Sequence, residues 1–127
     1  MNKSILIVDD EVHIRVLMEQ TLEELEDEGV ELLTATNGAA ALEIIRSEKP
    51  DLVFLDVMMP KMNGFEVCQS VKEDVAIQNT YIIMLTAKGQ EFDQQKGLKA
   101  GANLYMTKPF DPDEILEKAT EVLDIEL

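Results

Sequence analysis

Five polar residues of this chain close runs of apolar ones. Asp9 and Asp10 follow Ser4-Ile5-Leu6-Ile7-Val8, and Asp56 follows Asp51-Leu52-Val53-Phe54-Leu55. Thr86 follows Tyr81-Ile82-Ile83-Met84-Leu85, and Lys108 follows Asn103-Leu104-Tyr105-Met106-Thr107. Three carboxylates brought close together repel, and without compensation some of them hold a proton. A divalent cation removes that conflict. An oxygen-rich, partly hydrated site suits Mg²⁺, which takes one or two protein carboxylates and keeps waters for a phosphate ligand. These run ends carry no His or Cys, which argues against Zn²⁺. Together with a metal, the Lys108 ammonium and the Thr86 hydroxyl describe a holder for three phosphoryl oxygens, the kind of charge neutralisation on which phosphoryl transfer depends. A carboxylate can itself be the nucleophile and give an aspartyl-phosphate. Asp56 suits that role because it stands alone with a loop beside it, whereas the Asp9-Asp10 pair better suits a metal.

Such chemistry needs a scaffold that gathers distant residues. Short apolar runs separated by helical patterns mark a parallel α/β sheet, and ligands of such sheets bind beyond the carboxyl ends of the strands. From Ile14, apolar or small residues recur at Leu17, Met18, Thr21, Leu22 and Leu25, the stripe of a one-faced helix that Gly29 then stops. Val30 to Ala35 reads as the second strand, and Asn37-Gly38 as a turn. A helix over Ala39 to Ser47 buries Ala41, Leu42 and Ile45 and ends at Lys49-Pro50. The loop Val57 to Gly64 leads to a third helix burying Val67, Cys68, Val71 and Val75. A weaker helical stretch near Glu91 to Ala100 is interrupted by glycine. A final helix from about Asp113 to Leu123, capped by Asp111 with Pro112 in its first turn, turns Ile115, Leu116, Ala119, Val122 and Leu123 inward. Five strands and five helices thus alternate, and right-handed crossovers put helices on both faces of the sheet.

Size and charge narrow the function classes. At 127 residues the chain is expected to be one domain with an ordinary core, without linker or internal repeat. No apolar stretch reaches the roughly 20 residues that span a bilayer. With a single cysteine, Cys68, and no signal-peptide pattern, the expectation is cytoplasmic. A net charge of −15 argues against direct binding of nucleic acid or of an anionic membrane surface.

Taken in order, Asp9-Asp10, Asp56 followed by Met58-Met59-Pro60 and Gly64, Thr86-Ala87, and Lys108-Pro109-Phe110 resemble the receiver domain of bacterial two-component response regulators. The resemblance covers essentially the whole chain. It implies a flavodoxin-like, doubly wound parallel sheet of order 2-1-3-4-5, as a single receiver domain over residues 1–127 without an effector domain. By the same resemblance Asp56 would accept a phosphoryl group from a histidine kinase or histidine phosphotransfer protein. Asp10, Asp56 and the backbone carbonyl of Met58 would hold Mg²⁺, with Asp9 assisting through water. Thr86 would move toward the phosphoryl group, Tyr105 would turn inward to fill the space it vacates, Lys108 would pair with the phosphoryl group, and the Lys108-Pro109 peptide bond would be cis. Asp56, Thr86 and Lys108 would catalyse only the protein's own phosphorylation and dephosphorylation. The output would be a downstream protein bound at the face of the fourth helix, fifth strand and fifth helix, by a monomer or a phosphorylation-dependent dimer, or else onward transfer in a phosphorelay.

Blander and rival readings have their own signatures. Asp56 could cap a turn, Thr86 could cap the next helix, and Lys108, Lys88 and Tyr105 could be ordinary surface or strand residues. His13 reads as structural and Cys68 as core. A haloacid-dehalogenase phosphatase needs a second Asp two residues after the nucleophile, where this chain has Met58. A flavodoxin-like electron carrier needs a hydroxyl- and glycine-rich loop after the first strand, where this chain has Asp9-Asp10-Glu11. A phosphate-independent interaction module survives only if the acidic site fails to bind Mg²⁺.

Overall fold

The computed structural model describes residues 3–87 and 99–127. Five strands, β1 (Ser4–Val8), β2 (Glu31–Ala35), β3 (Leu52–Asp56), β4 (Tyr81–Ala87) and β5 (Leu104–Lys108), form one sheet in the order β2-β1-β3-β4-β5. Every pairing is parallel. The order reverses between β1 and β3, so the carboxyl ends of these two strands flank the crevice where ligands of such sheets collect. Among the described residues the helices are α1 (Val12–Thr21), α2 (Glu23–Asp27), α3 (Gly38–Glu48), α4 (Gly64–Glu73) and α5 (Pro112–Leu123). The helical stretch expected near Glu91 falls at residues 91–98 outside the described residues, as does Lys88.

Strand alternation builds two cores. Leu6, Val8, Val53, Leu55, Ile82 and Met84 face α3 and α4 and meet Ala41, Leu42, Ile45, Val67, Cys68 and Val71. Ile5, Ile7, Leu52, Phe54, Ile83 and Leu85 face the other way and meet Met18, Leu22, Leu25, Ile115, Ala119 and Leu123. A sheet covered on both faces needs apolar residues at consecutive positions, which is why β1, β3 and β4 read as unbroken runs. Cys68 is buried, and burial pushes its thiol up to about 11, as befits a core residue.

Four expectations shift. The first helix breaks at Leu22, yet Leu22 N–H still reaches Met18 O at 3.0 Å and Glu26 N–H reaches Leu22 O at 3.3 Å. The stripe Met18, Leu22, Leu25 therefore stays continuous across the break, and Gly29 (φ +92°) follows its end. Leu17 is 42% exposed, because that stripe turns position 17 to its margin. Val75 is 83% exposed rather than buried, since α4 ends at Glu73 and the chain leaves the core before it. Asn37 is less a turn than an N-cap: its side chain accepts the Ala40 N–H at 2.9 Å and α3 begins at Gly38.

Candidate functional site

All five residues of β3 are buried, so the strand delivers Asp56 from the centre of the sheet to its rim. The segment between Asp56 and α4 is pinned at both ends. Val57 N–H donates to Leu85 O at 3.1 Å, and Gly64 N–H donates back to Val57 O at 2.9 Å. A Cβ at position 64 would lie 2.5 Å from the Asp56 carbonyl oxygen, so only glycine lets α4 start this close to the end of β3. Asn63 and Glu66 form a capping box there, with bonds of 3.0 and 3.2 Å.

Beside Asp56, β1 delivers Asp9 and Asp10. Asp9 is held on every side: its N–H reaches Ala35 O at 3.2 Å, and its Oδ1 accepts the Glu11 N–H at 3.0 Å. Its Oδ2 accepts the Lys108 ammonium at 2.7 Å, and its carbonyl accepts Arg15 Nη1 at 2.8 Å. Lys108 also donates to Asp56 Oδ1 at 3.1 Å. Oxygens of Asp9, Asp10 and Asp56 all lie within 4.8 Å of one another. Asp9 and Asp56 are buried and Asp10 is exposed. A cleft of about 280 Å³ opens over them, lined by Asp10, Glu11, Asp56, Val57, Met58, Thr86 and Lys108.

Burial, reinforced by the charge of Asp9, raises the Asp56 carboxyl from the usual 3.8 to about 6, although the charge and hydrogen bond of Lys108 pull it back. Burial also weighs against the Lys108 ammonium, but its bonds to Asp9 and Asp56 and their charges outweigh that and lift it above its ordinary range. The cluster is thus an anion-rich pocket with one cation shared between two acids. Its donors are hard oxygens on one open side, which fits Mg²⁺ and leaves room for a phosphate group.

The remaining predicted residues fall around this centre. Thr86 is buried at the end of β4 and lines the cleft. Tyr105 is half-buried on β5, packs against the core on the α3/α4 side, and pairs with Met84, two residues from Thr86 along β4. Met58 forms part of the cleft wall and is 68% exposed. The Lys108-Pro109 peptide bond is cis. His13 lies on the surface and pairs with the nearby Glu11 at 3.2 Å. Sequence reasoning did not single out Arg15. Its signal was available: a cation in the first turn of a helix opposes the helix dipole and needs another reason to be there.

Residues 5–120 match the profile of the response regulator receiver domain. The chain belongs to this family. Receiver domains are signalling phosphoacceptors of two-component systems rather than metabolic enzymes, and Mg²⁺ binding is typical of them. The chain is 46% identical over 123 residues to the alkaline phosphatase synthesis transcriptional regulatory protein PhoP of Bacillus subtilis, covering 97% of this receiver and 49% of PhoP. It is 44% identical over 123 residues to the phosphate regulon transcriptional regulatory protein PhoB of Pseudomonas aeruginosa, covering 97% of this receiver and 52% of PhoB. The chain therefore spans about half the length of the curated relatives it matches. Among solved structures, a response regulator from Chloroflexus aurantiacus superimposes with a TM-score of 0.87 at 32% identity, over 98% of this receiver and 99% of that one. Chemotaxis protein CheY4 of Vibrio cholerae superimposes with a TM-score of 0.83 at 34% identity, over 96% and 99% of the two chains. No described helix of the receiver is long and apolar enough to cross a membrane.

Proposed function

We propose that this receiver takes up a phosphoryl group on Asp56 and signals through the change this makes around Lys108, Thr86 and Tyr105. The observation that carries the reading is the Lys108 ammonium lying between Asp9 at 2.7 Å and Asp56 at 3.1 Å. That cation is placed to meet a phosphoryl oxygen on Asp56 while Asp9 and Asp10 remain for a metal.

In the transfer, an Asp56 carboxylate oxygen attacks the phosphorus of a phosphohistidine on a kinase or phosphotransfer protein. The P–N bond breaks, its electron pair stays on the imidazole nitrogen, and that nitrogen takes up a proton. The product is an acyl phosphate on Asp56. Asp10, Asp56 and the Met58 carbonyl would hold Mg²⁺, assisted by Asp9 through water, and the metal would supply charge neutralisation for the carboxylates and the phosphoryl oxygens. Lys108 pairs with a phosphoryl oxygen and Thr86 donates its hydroxyl to another. Tyr105, two residues from Thr86 across the β4–β5 pairing, follows it inward. The change reaches a downstream protein at the face that includes β5 and α5. The reading places this receiver in the cytoplasm, where such kinases present phosphohistidine.

The test is labelling with acetyl phosphate and Mg²⁺, read by intact mass. Wild type should gain one phosphoryl group, lost on adding a chelator before the donor. Asp56→Asn should gain none. Labelling of that variant at the wild-type level would move the acceptor elsewhere.

A further inference from the structure

We infer that Arg15 is a positioning residue for the metal-facing carboxylate of Asp10, an inference that rests on the Mg²⁺ reading above. Asp10 is exposed, and among the described residues its carboxylate makes no hydrogen bond. No bond from a neighbour directs it, so its aim depends on the backbone from which it departs. The Asp9 carbonyl and the Asp10 N–H belong to one planar peptide unit, so fixing that oxygen fixes the plane from which Asp10 departs. Arg15 Nη1 fixes it at 2.8 Å, reaching back from the first turns of α1. On the other side of that plane Asp9 is already immobilised through Ala35 O, the Glu11 N–H and Lys108. The Arg15 bond completes the frame at the point where Asp10 has no bond of its own.

Charge and geometry predict opposite signs here. As a bare cation near three acids, Arg15 repels Mg²⁺, and its removal would tighten metal binding. As the clamp on the Asp9-Asp10 peptide it aims a ligand, and its removal loosens metal binding, as loss of an outer-shell partner does.

The experiment titrates Mg²⁺ calorimetrically into metal-free protein at constant ionic strength. Arg15→Met should bind Mg²⁺ about tenfold more weakly than wild type. Arg15→Lys keeps the charge and one donor with different reach, so its affinity should fall between the two. Asp10→Asn should abolish the same binding event. Tighter or unchanged Mg²⁺ affinity in Arg15→Met overturns the inference; if that variant does not fold, unchanged affinity in Arg15→Lys overturns it. Wild-type protein with no saturable Mg²⁺ binding overturns instead the metal reading on which it rests.

Discussion

Two lysines hold opposite ends of the sheet, and they hold them with different oxygens. Lys108, at the carboxyl end of β5, bonds the carboxylates of Asp9 and Asp56. Lys72, in the last turn of α4, lies near the amino ends of β4 and β5 and bonds Thr80 O at 2.7 Å, Asn103 Oδ1 at 3.1 Å and Gln78 O at 3.2 Å. Burial lowers the Lys72 ammonium, since carbonyl oxygens return little charge, whereas the carboxylates lift Lys108 despite its burial. All three Lys72 donors are used by neutral amide oxygens at the end of the sheet away from the acidic cluster, where no metal or phosphoryl group would compete for them. Asn103 meanwhile brackets Ile82, accepting its N–H and donating to its carbonyl, both at 2.9 Å, which registers β5 on β4. Gly101 (φ +101°) lets the lysine stem pass, for a Cβ there would lie 2.7 Å from Lys72 Cγ. The acceptors of Lys108 are the carboxylates that a metal or a phosphoryl group would claim. The same side chain is a staple where its acceptors are uncontested and a sensor where they are contested.

The contested end should show its cost most clearly in stability. A carboxyl whose folded pKa is raised from 3.8 to about 6 favours the folded state only while protonated. That contribution is complete below pH 3.8 and is lost as the pH rises through about 6. At neutral pH the ionised Asp56 therefore costs up to about 3 kcal/mol, and Asp56→Asn should recover most of it. Urea unfolding should find the variant more stable than wild type at pH 7, with the gap closing toward pH 4. No gap at pH 7 would mean that Lys108 compensates Asp56 fully and that the two ends of the sheet are equally at rest.

The uncontested end should behave oppositely. Lys72→Met leaves the Thr80 carbonyl and the Asn103 side chain each short of a donor and should cost about 2 kcal/mol. Phosphoryl labelling of the folded fraction should be unaffected, as expected of a staple remote from Asp56. A loss of labelling at constant folded fraction would join the two ends into one cooperative unit.

The parts of this molecule that could be read from the sequence are those written as local pattern. Consecutive apolar residues announced β1, β3 and β4 because both faces of the sheet are covered, and the residues closing those runs announced the site because strands end where ligands bind. The strand order came from the family resemblance, since alternation alone allows several. Val75 and Leu17 misled because periodicity marks a stripe without marking where the helix stops or which edge of the stripe is covered. Arg15 could be suspected only from its place in the first turn of a helix, and neither its role nor that of Lys72 could be read, because most of their acceptors are backbone carbonyls, which have no residue type. Lys72 meets Asn103 across 31 positions and Lys108 meets Asp9 across 99, so only the folded sheet brings them together.

The smallest expected effect is the most direct probe of the contrast. In the metal-free protein the charge and hydrogen bond of Lys108 both lower Asp56, against burial and the charges of Asp9 and Asp10. Lys108→Met removes both lowering influences and leaves the raising ones, so Asp56 should titrate above 6. Lys72→Met touches none of these groups and should leave Asp56 at about 6. Carboxyl carbon shifts followed through a pH titration, with Asp56→Asn to assign the signal, resolve the two variants. Saturating Mg²⁺ should bring Asp56 below its metal-free value in wild type, because a divalent charge favours the carboxylate more strongly than a shared ammonium does. If Asp56 titrates alike in both lysine variants, the Lys108 contact is geometric rather than electrostatic, and the distinction between staple and sensor fails at its physical root.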